Sequence, residues 1–254
     1  MSAKVTVIIP AYKAAAYIAN AVHSALDQED LEKDAVQVII VDDCSPDREQ
    51  LDLALQPFAG DPQVLILHNE SNLGVAESRN KAIDLAQTEY IAFLDADDWW
   101  EPDKLARQIR ILDEQPQVPL CCAGRMLHDM QGIPTGRSIA VPAKISYEML
   151  LRTNLIPCGS VLMRTKIARE FHMTHAHLHE DYILWLRVLK TYGDAVGIPE
   201  ALLHCRLSEG GKSRNKFRSA KMHYGCYRVV GIGPIRSLYY FVSYAINGVR
   251  KYYG

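Results

Sequence analysis

Tyr90-Ile91-Ala92-Phe93-Leu94-Asp95-Ala96-Asp97-Asp98-Trp99-Trp100 is the stretch on which the reading of this chain turns. Its first five residues are an apolar run with the length and composition of a buried strand. Three carboxylates then fall within four residues, at the point where a strand leaves its sheet. Like charges so placed are costly unless something positive compensates them. A hard divalent cation does so, and Mg²⁺ or Mn²⁺ is commonly held by one or two carboxylates together with a substrate's phosphates. The Asp95-Ala96-Asp97 spacing lets one acid face a metal while the other reaches a ribose or a bridging water. A solvated acidic loop is the plainer account of an isolated pair of this kind, so the surroundings decide.

On the N-terminal side, residues 5–9 form a continuous apolar strand closed by Pro10-Ala11-Tyr12, and residues 17–26 carry helical spacing through Ile18, Val22, Ala25 and Leu26. A second strand over 36–41 ends in Asp42-Asp43. A helix is expected over 51–56, a strand over 64–67 and a helix over 75–86. Beyond the acidic stretch, Pro102 opens a helix where its missing N–H costs little, running to about residue 112. This alternation predicts an α/β fold, with a mostly parallel, Rossmann-like sheet and helices on both faces. Strands apolar on both sides suit such a sheet. Ligands gather there outside the carboxyl ends of the strands. Tyr12, Asp42, Asp43, Asp95 and Asp97 fall at the ends of three separate strands, which is hard to obtain by accident.

After residue 115 the pattern is mixed, with strands expected over 118–126, 139–141 and 161–163 and helices over 146–152 and 181–191. A single enzyme domain is therefore expected over 1–205, with a nucleotide-binding half at 1–115 and an acceptor half at 116–205. A tail follows over 206–254.

The chain has 254 residues, 48% of them hydrophobic, enough for a substantial core. Its six cysteines form no C-x-x-C pair and no zinc spacing, so they read as buried or free thiols in a reducing cytosol. Neither a signal peptide nor a membrane-spanning run of about 18 apolar residues is evident. The formal charge of −2 conceals an asymmetry: the tail holds ten Lys or Arg against Glu209 alone, and the remainder holds 18 basic and 29 acidic residues. Such a tail is expected to meet something anionic.

No glycine-rich dinucleotide fingerprint or P-loop is present. Tyr12 offers an aromatic face for a base, and Asp43 an acceptor for base or ribose hydrogens. A phosphoacceptor receiver domain also places acids after an apolar strand, but another strand precedes this one and a second acidic cluster lies far downstream. Asn72-Leu73-Gly74 leads into a helix bearing Arg79, which could meet a pyrophosphate or neighbouring carboxylates or serve a structural role. Glu180 and Asp181 open a further helix, where acids act as dipole-favoured caps or one serves as a general base. His172, His175, His177 and His179 have the look of a metal tract, although alternating loop histidines are often incidental.

Taken together, the chain resembles the family 2 glycosyltransferases of the GT-A fold. The resemblance is carried by Val5-Thr6-Val7-Ile8-Ile9-Pro10-Ala11-Tyr12, Val41-Asp42-Asp43-Cys44-Ser45, Asn72-Leu73-Gly74 with Arg79-Asn80, the acidic stretch, and Glu180-Asp181. The later residues (Thr153-Asn154, Ser160, the 180–187 segment, Ser213 and Asn215-Lys216) look like transferases of teichuronic acid, capsule and O-antigen synthesis. The resemblance implies inverting transfer of a sugar from a nucleotide donor, commonly a UDP-sugar. It carries donor contacts onto Pro10, Ala11, Tyr12, Asp42, Asp43, Asn72, Gly74, Arg79, Asp95 and Ala96. Among them Pro10, Tyr12 and Asp43 meet base and ribose, and Asp95 lies near ribose or sugar. Asp97 is implied as ligand to Mn²⁺ or Mg²⁺, Asp181 as the base and Glu180 as a residue orienting the site. Many relatives carry a histidine two residues after an arginine near the domain end. Here Ser208 follows Arg206 at that spacing, which leaves the phosphates, water or a histidine such as His204 to complete the metal site.

The aromatic-rich segment 232–253 with its basic flank suits a helix in a membrane interface. A helix packed on the core and a homodimer interface are the alternatives, and nucleic acid is not expected because no recognition module accompanies the charge. The expected acceptor is a polyprenyl-diphosphate-linked glycan at the inner face of a bacterial membrane. A nucleotidyltransferase would show a glycine-rich loop with Arg and Lys after the first strand. A non-catalytic sugar-nucleotide-binding module would lack Asp97 or Asp181. Neither pattern is present.

Overall fold

The computed structural model describes residues 3–207 and 216–253, the second stretch with side chains over 221–246. In chain order the elements are β1 (Val5–Ala11), α1 (Ile18–Leu26), β2 (Val36–Asp42), α2 (Arg48–Leu55), β3 (Val64–His68), α3 (Val75–Leu85) and β4 (Tyr90–Phe93). The acidic turn leads to β5 (Trp99–Trp100), and then come α4 (Lys104–Glu114), β6 (Leu120–His128), β7 (Pro134–Ile139), β8 (Lys144–Ile145), α5 (Tyr147–Arg152), β9 (Leu162–Arg164), α6 (Thr165–Phe171) and α7 (Glu180–Tyr192). The chain closes with β10 (Ala195–Arg206), α8 (Lys216–Val229) and α9 (Pro234–Tyr253).

The main sheet runs β3-β2-β1-β4-β9-β6-β10-β5, with β7 beside β6 and β8 beside β10. Its first four strands are parallel, as the βα alternation predicts. Val7 pairs with Val38 on one side and Ala92 on the other. Alternate residues face opposite sides. Val5, Val7, Ile9, Val38 and Ile40 pack with α1, α2 and α4, while Ile8, Ile39, Val41, Ile91 and Phe93 pack with α3, α6 and α7.

The other half of the sheet is mixed. β9 joins β4 and β6 antiparallel, β6 and β10 run parallel, and β5 returns antiparallel on β10. The strand expected over 139–141 lies at Pro134–Ile139, and Val141 falls beyond it in the core. The twelve-residue β10 has no counterpart in the sequence reading. Pro199 and Glu200 interrupt its apolar run, and the register with β6 shifts at this point, which is how a sheet accommodates proline. At Gly197 an added Cβ would lie 2.1 Å from the Pro142 carbonyl oxygen, so the strand can pass here only without a side chain.

The tail helices are tied to the core. Tyr227 Oη on α8 donates to the Leu151 carbonyl at 2.6 Å, and Tyr240 Oη on α9 donates to Glu148 at 2.9 Å. Ser208, Ser213 and Asn215 lie outside the described residues. Among the described residues, no helix is long and apolar enough to cross a membrane.

Candidate active site

The parallel register brings the ends of β1, β2 and β4 to one edge. Leu94 N–H donates to the Ile8 carbonyl at 3.1 Å, and Asp43 N–H to the Ala11 carbonyl at 2.8 Å. Pro10 is partly buried and Ala11 fully so, while the Tyr12 ring stands 48% exposed with Lys13 Nζ 5.4 Å from its centroid. That ring is an open aromatic face at the carboxyl end of the sheet.

The two acids after β2 do different things. Asp42 is fully buried and accepts from Ser45 N–H at 2.9 Å, with His68 Nδ1 at 3.1 Å on its other oxygen. Burial opposes its charge, yet the hydrogen bonds from Ser45 and His68 outweigh burial and hold Asp42 below the usual carboxylate range. Asp42 therefore faces inward, and any contribution to donor binding comes through the turn it holds. Asp43 reaches across to the loop before α3, accepting from Leu73 N–H at 2.9 Å, Gly74 N–H at 2.8 Å and Asn69 Nδ2 at 2.9 Å. Asn72 Nδ2 completes the clamp on the Asp43 carbonyl at 3.1 Å. Gly74 has φ +90°, a left-handed conformation open to glycine at no steric cost.

The acidic turn between β4 and β5 is held from both ends. Asp98 N–H donates to the Asp95 carbonyl at 3.0 Å, and buried Asp98 Oδ1 accepts from Arg206 N–H at 2.9 Å. The Arg206 guanidinium lies over the rings of Tyr17 and Trp99, and its nitrogens donate to the carbonyls of Asp97 at 3.3 Å and Met130 at 2.9 Å. Burial, with Asp95 close by, raises the Asp97 carboxyl against the opposing pull of Arg206. Burial and both neighbouring aspartates push Asp98 well above its ordinary value. A cluster of oxygens that resists holding all its charges is one that a hard cation relieves.

Among the described residues no three His, Cys, Asp or Glu side chains converge on a point where a metal ion could sit. The donor set fits a cation that takes one or two carboxylates here and its remaining ligands from a diphosphate. His204 does not offer itself: Nδ1 faces His128 Nε2 at 2.9 Å and Nε2 faces Glu101 at 2.8 Å. Of the histidines ahead of α7, only His175 and His177 lie side by side, with ring centroids 6.0 Å apart. His172 meets Asp84 at 2.7 Å, His175 meets Thr174 at 3.0 Å, and the His179 ring lies against that of His223.

Glu180 and Asp181 open α7, and Asp181 Oδ1 accepts from Tyr182 N–H at 2.7 Å. Glu180 is buried, Asp181 half-buried. Burial and the adjacent Glu180 raise the Asp181 carboxyl, with Arg79 opposing. Arg79 itself is 4% exposed, too buried to be a surface residue. Its Nη2 meets Asp95 Oδ1 at 2.5 Å and its Nη1 lies 3.6 Å from Glu180 Oε1. Burial works against its charge, but the surrounding acids, Asp95, Glu180 and Asp181 among them, raise its affinity for the proton still further. One buried cation thus spans the acidic turn and the start of α7, two segments 85 residues apart in sequence.

Sequence reasoning missed the place of Arg206, Trp99 and Met173 in this architecture. Arg206 was legible only as the arginine ahead of Ser208, and nothing local marks Met173, whose carbonyl accepts from Asn80 Nδ2 at 2.8 Å. The buried Lys104, which donates to Gln108 at 2.7 Å with its Nζ 3.8 Å from the Trp100 ring centroid, carried no signal at all.

The family model Glycosyl transferase family 2 matches residues 6–168. A Bacillus subtilis (strain 168) protein named as a teichuronic acid biosynthesis glycosyltransferase, TuaG, is 34% identical over 248 residues, covering 97% of this chain and 96% of its own length. The Escherichia coli UDP-Glc:alpha-D-GlcNAc-diphosphoundecaprenol beta-1,3-glucosyltransferase WfgD is 29% identical, covering 98% and 94%. Among solved structures, S. aureus TarS 1-349 with UDP-GlcNAc superposes with a TM-score of 0.71 at 18% identity, over 97% of this chain and 73% of that one. The mannosyltransferase PcManGT of Pyrobaculum calidifontis, in complex with GDP-Man and Mn2+, does so at 0.66 and 17%, over 95% and 70%. These likenesses show the GT-A fold expected from the sequence. The chain belongs to glycosyl transferase family 2 and is a glycosyltransferase.

Proposed function

We propose that this enzyme moves a sugar, with inversion, from a UDP-sugar to a hydroxyl of a polyprenyl-diphosphate-linked glycan during synthesis of a bacterial surface polysaccharide. The observation that carries the reading is the pairing of buried Arg79 with Asp95 of the acidic turn and with Glu180 of α7, which sets a donor-side carboxylate and the immediate neighbour of the candidate base Asp181 around one cation. The names of the relatives support the acceptor: WfgD acts on a GlcNAc-diphosphoundecaprenol, and TuaG belongs by name to teichuronic acid synthesis. The UDP-GlcNAc bound by TarS supports the donor.

In this reading residues 1–205 form the catalytic domain, with a donor half at 1–115 and an acceptor half at 116–205. Pro10, Ala11 and Tyr12 receive the base, Asp43 with Asn72 and Gly74 shapes the ribose side, and Asp95, Ala96 and Arg79 face the sugar-diphosphate. A divalent Mn²⁺ or Mg²⁺ held by Asp97 would supply charge neutralisation for the leaving diphosphate. Asp181 takes the proton of the acceptor hydroxyl as its oxygen attacks the anomeric carbon, from the face opposite the bond that breaks. Glu180 keeps Arg79 in position. The tail, 206–254, holds the enzyme at the inner face of the membrane, where such an acceptor is presented.

Titration calorimetry with UDP, GDP and dTDP, each with and without Mn²⁺, tests the donor side. UDP binding that strengthens with the metal is expected. A folded protein that binds none of the three, or binds only GDP irrespective of metal, would overturn the UDP-sugar assignment.

A further inference from the structure

Helix α9 has two faces of different character. Ser237, Tyr240 and Tyr244 turn inward, Tyr240 onto Glu148 and Tyr244 onto the ring of His223 at 3.6 Å. On the opposite side Ile235, Leu238, Tyr239, Val242 and Ile246 stand open, Ile235 at 85% and the others at half or more. At 100° per residue these five fall within about 100° of the helix circumference. The result is one continuous apolar stripe on the outside of the molecule, and scattered exposed residues do not produce such a pattern.

The surroundings of the stripe are basic. Lys221, Arg228 and Arg236 are exposed on the same two helices, and Arg152 of α5, which pairs with Glu148 at 3.0 Å, lies over the Tyr239 ring, 5.7 Å from its centroid. The tail as a whole has ten Lys or Arg and one acid. An aromatic-containing apolar stripe flanked by cations suits the boundary between acyl chains and anionic headgroups. A partner copy of this chain would bring the same positive surplus against it.

We infer that this face of α9, with Ile235, Leu238, Tyr239, Val242 and Ile246, docks on an anionic lipid surface and thereby fixes the orientation of the active site to the membrane. The inference rests on the proposed lipid-linked acceptor for its purpose, and on the surface of α9 for its argument. The fixing is mechanical. The His223 ring of α8 is stacked between Tyr244 of α9 and Tyr182 of α7, at centroid distances of 3.6 and 4.4 Å. Tyr182 directly follows Asp181, so a short run of packed rings joins the docking face to the segment that carries the candidate base. The membrane then sets the height and tilt at which an acceptor hydroxyl meets Asp181.

The test is co-sedimentation of the full chain with vesicles of phosphatidylcholine, with and without phosphatidylglycerol, in the absence of donor and acceptor. Wild type is expected to partition onto the anionic vesicles, and Leu238→Glu/Val242→Glu to lose at least about tenfold in partition coefficient. Lys221→Gln/Arg236→Gln is expected to lose the preference for phosphatidylglycerol. Both variants alter exposed positions, so unchanged melting and unchanged UDP binding verify their folds. Equal partition of wild type and the Glu variant would overturn the inference. So would a wild-type dimer that the Glu variant converts to monomer with no change on vesicles, since a second copy would then cover the stripe. Transfer to a detergent-dispersed lipid acceptor is scored separately: wild type that transfers but ignores vesicles defeats the docking face alone, and wild type that docks but transfers to no lipid acceptor defeats the functional reading alone.

Discussion

Arg79 is placed where loss of its charge would leave the buried Glu180 uncompensated, while Asp95 keeps contact with water. Asp95 lies 2.5 Å away, Glu180 lies 3.6 Å away and is 5% exposed, and Arg79 Nε has no hydrogen-bond partner among the described residues. Breaking a buried pair by removing one partner costs far more than the pair is worth as a whole, because an uncompensated charge remains. Arg79→Met is therefore expected to destabilise the fold by about 3 kcal/mol in denaturant titration. It is also expected to shift the acid limb of the rate–pH profile to higher pH. The sign follows from the electrostatics: Arg79 opposes the upward push on Asp181, so its loss lets that carboxyl rise further. The two carboxylates proposed for the chemistry separate by what their loss removes. Asp181→Asn should keep UDP binding and lower transfer by about 10²–10⁴-fold, the usual worth of a general base. Asp97→Asn should instead abolish the response of UDP binding to Mn²⁺, which calorimetry reads without any turnover. Metal-dependent binding that persists in Asp97→Asn would remove that residue from the cation site.

The elements show where sequence periodicity carries information and where it stops. Every β-strand and α-helix of the first 115 residues was legible except β5, because short strands apolar on both faces alternate there with amphipathic helices; the short 3-10 turn at Gln56–Phe58 was not. The two-residue β5 follows the acidic turn and owes its existence to β10, which pairs Trp100 with Leu203. β10 in turn was hidden by Pro199 and Glu200, and the seven-residue α6 was too short to show a period. In the candidate site, the strand ends place Asp43, Asp95 and Asp97 at one edge of the sheet and turn Asp42 inward, whereas the contacts of Arg206 with Asp97 and of Met173 with Arg79 and Asn80 depend on the whole fold. The same dependence gives α8 a measurable property. His223 is 1% exposed, packed between tyrosine rings with Nε2 3.1 Å from Tyr227 Oη, and burial together with His179 lowers its pKa to about 3. In the unfolded chain it titrates at its ordinary value of 6.5. Between these limits the unfolded state binds the extra proton, so stability falls as pH drops through 6.5 towards 3, by up to about 1.4 kcal/mol per pH unit. His223→Phe keeps a ring in the stack and removes the proton site. Its denaturant midpoint should fall less between pH 7 and pH 5 than that of wild type, and equal losses would show that His223 does not govern the α7–α8 interface.

On the scale of the whole molecule, the boundary drawn near residue 115 divides two halves in sequence that share one sheet in space. β4 of the first half pairs with β9 of the second, Ile91 opposite Met163. β5, also from the first half, is held at the far edge of the sheet by β10. α4 is tied across the boundary by Gln108, whose Nε2 donates to the Ser160 carbonyl at 2.9 Å, while Lys104 fills the space beneath Trp100. Trp100 Nε1 in turn donates to the Gly159 carbonyl at 2.7 Å. Cutting the chain at 115 would leave β4 with an unpaired edge, β5 without a partner and a buried lysine exposed to water. Unpaired edges and lost burial of this kind remove the cooperativity that a domain needs to stand alone. The two halves therefore belong to one folding unit. Equilibrium unfolding in urea should give coincident transitions by far-UV circular dichroism and by tryptophan fluorescence, since Trp99 and Trp100 belong to the first half and Trp185 to the second. A fragment of residues 1–115 should show no cooperative transition of its own. Two resolved transitions in the full chain, or a cooperatively folding fragment, would mean that the donor half is an autonomous domain onto which the acceptor half is docked.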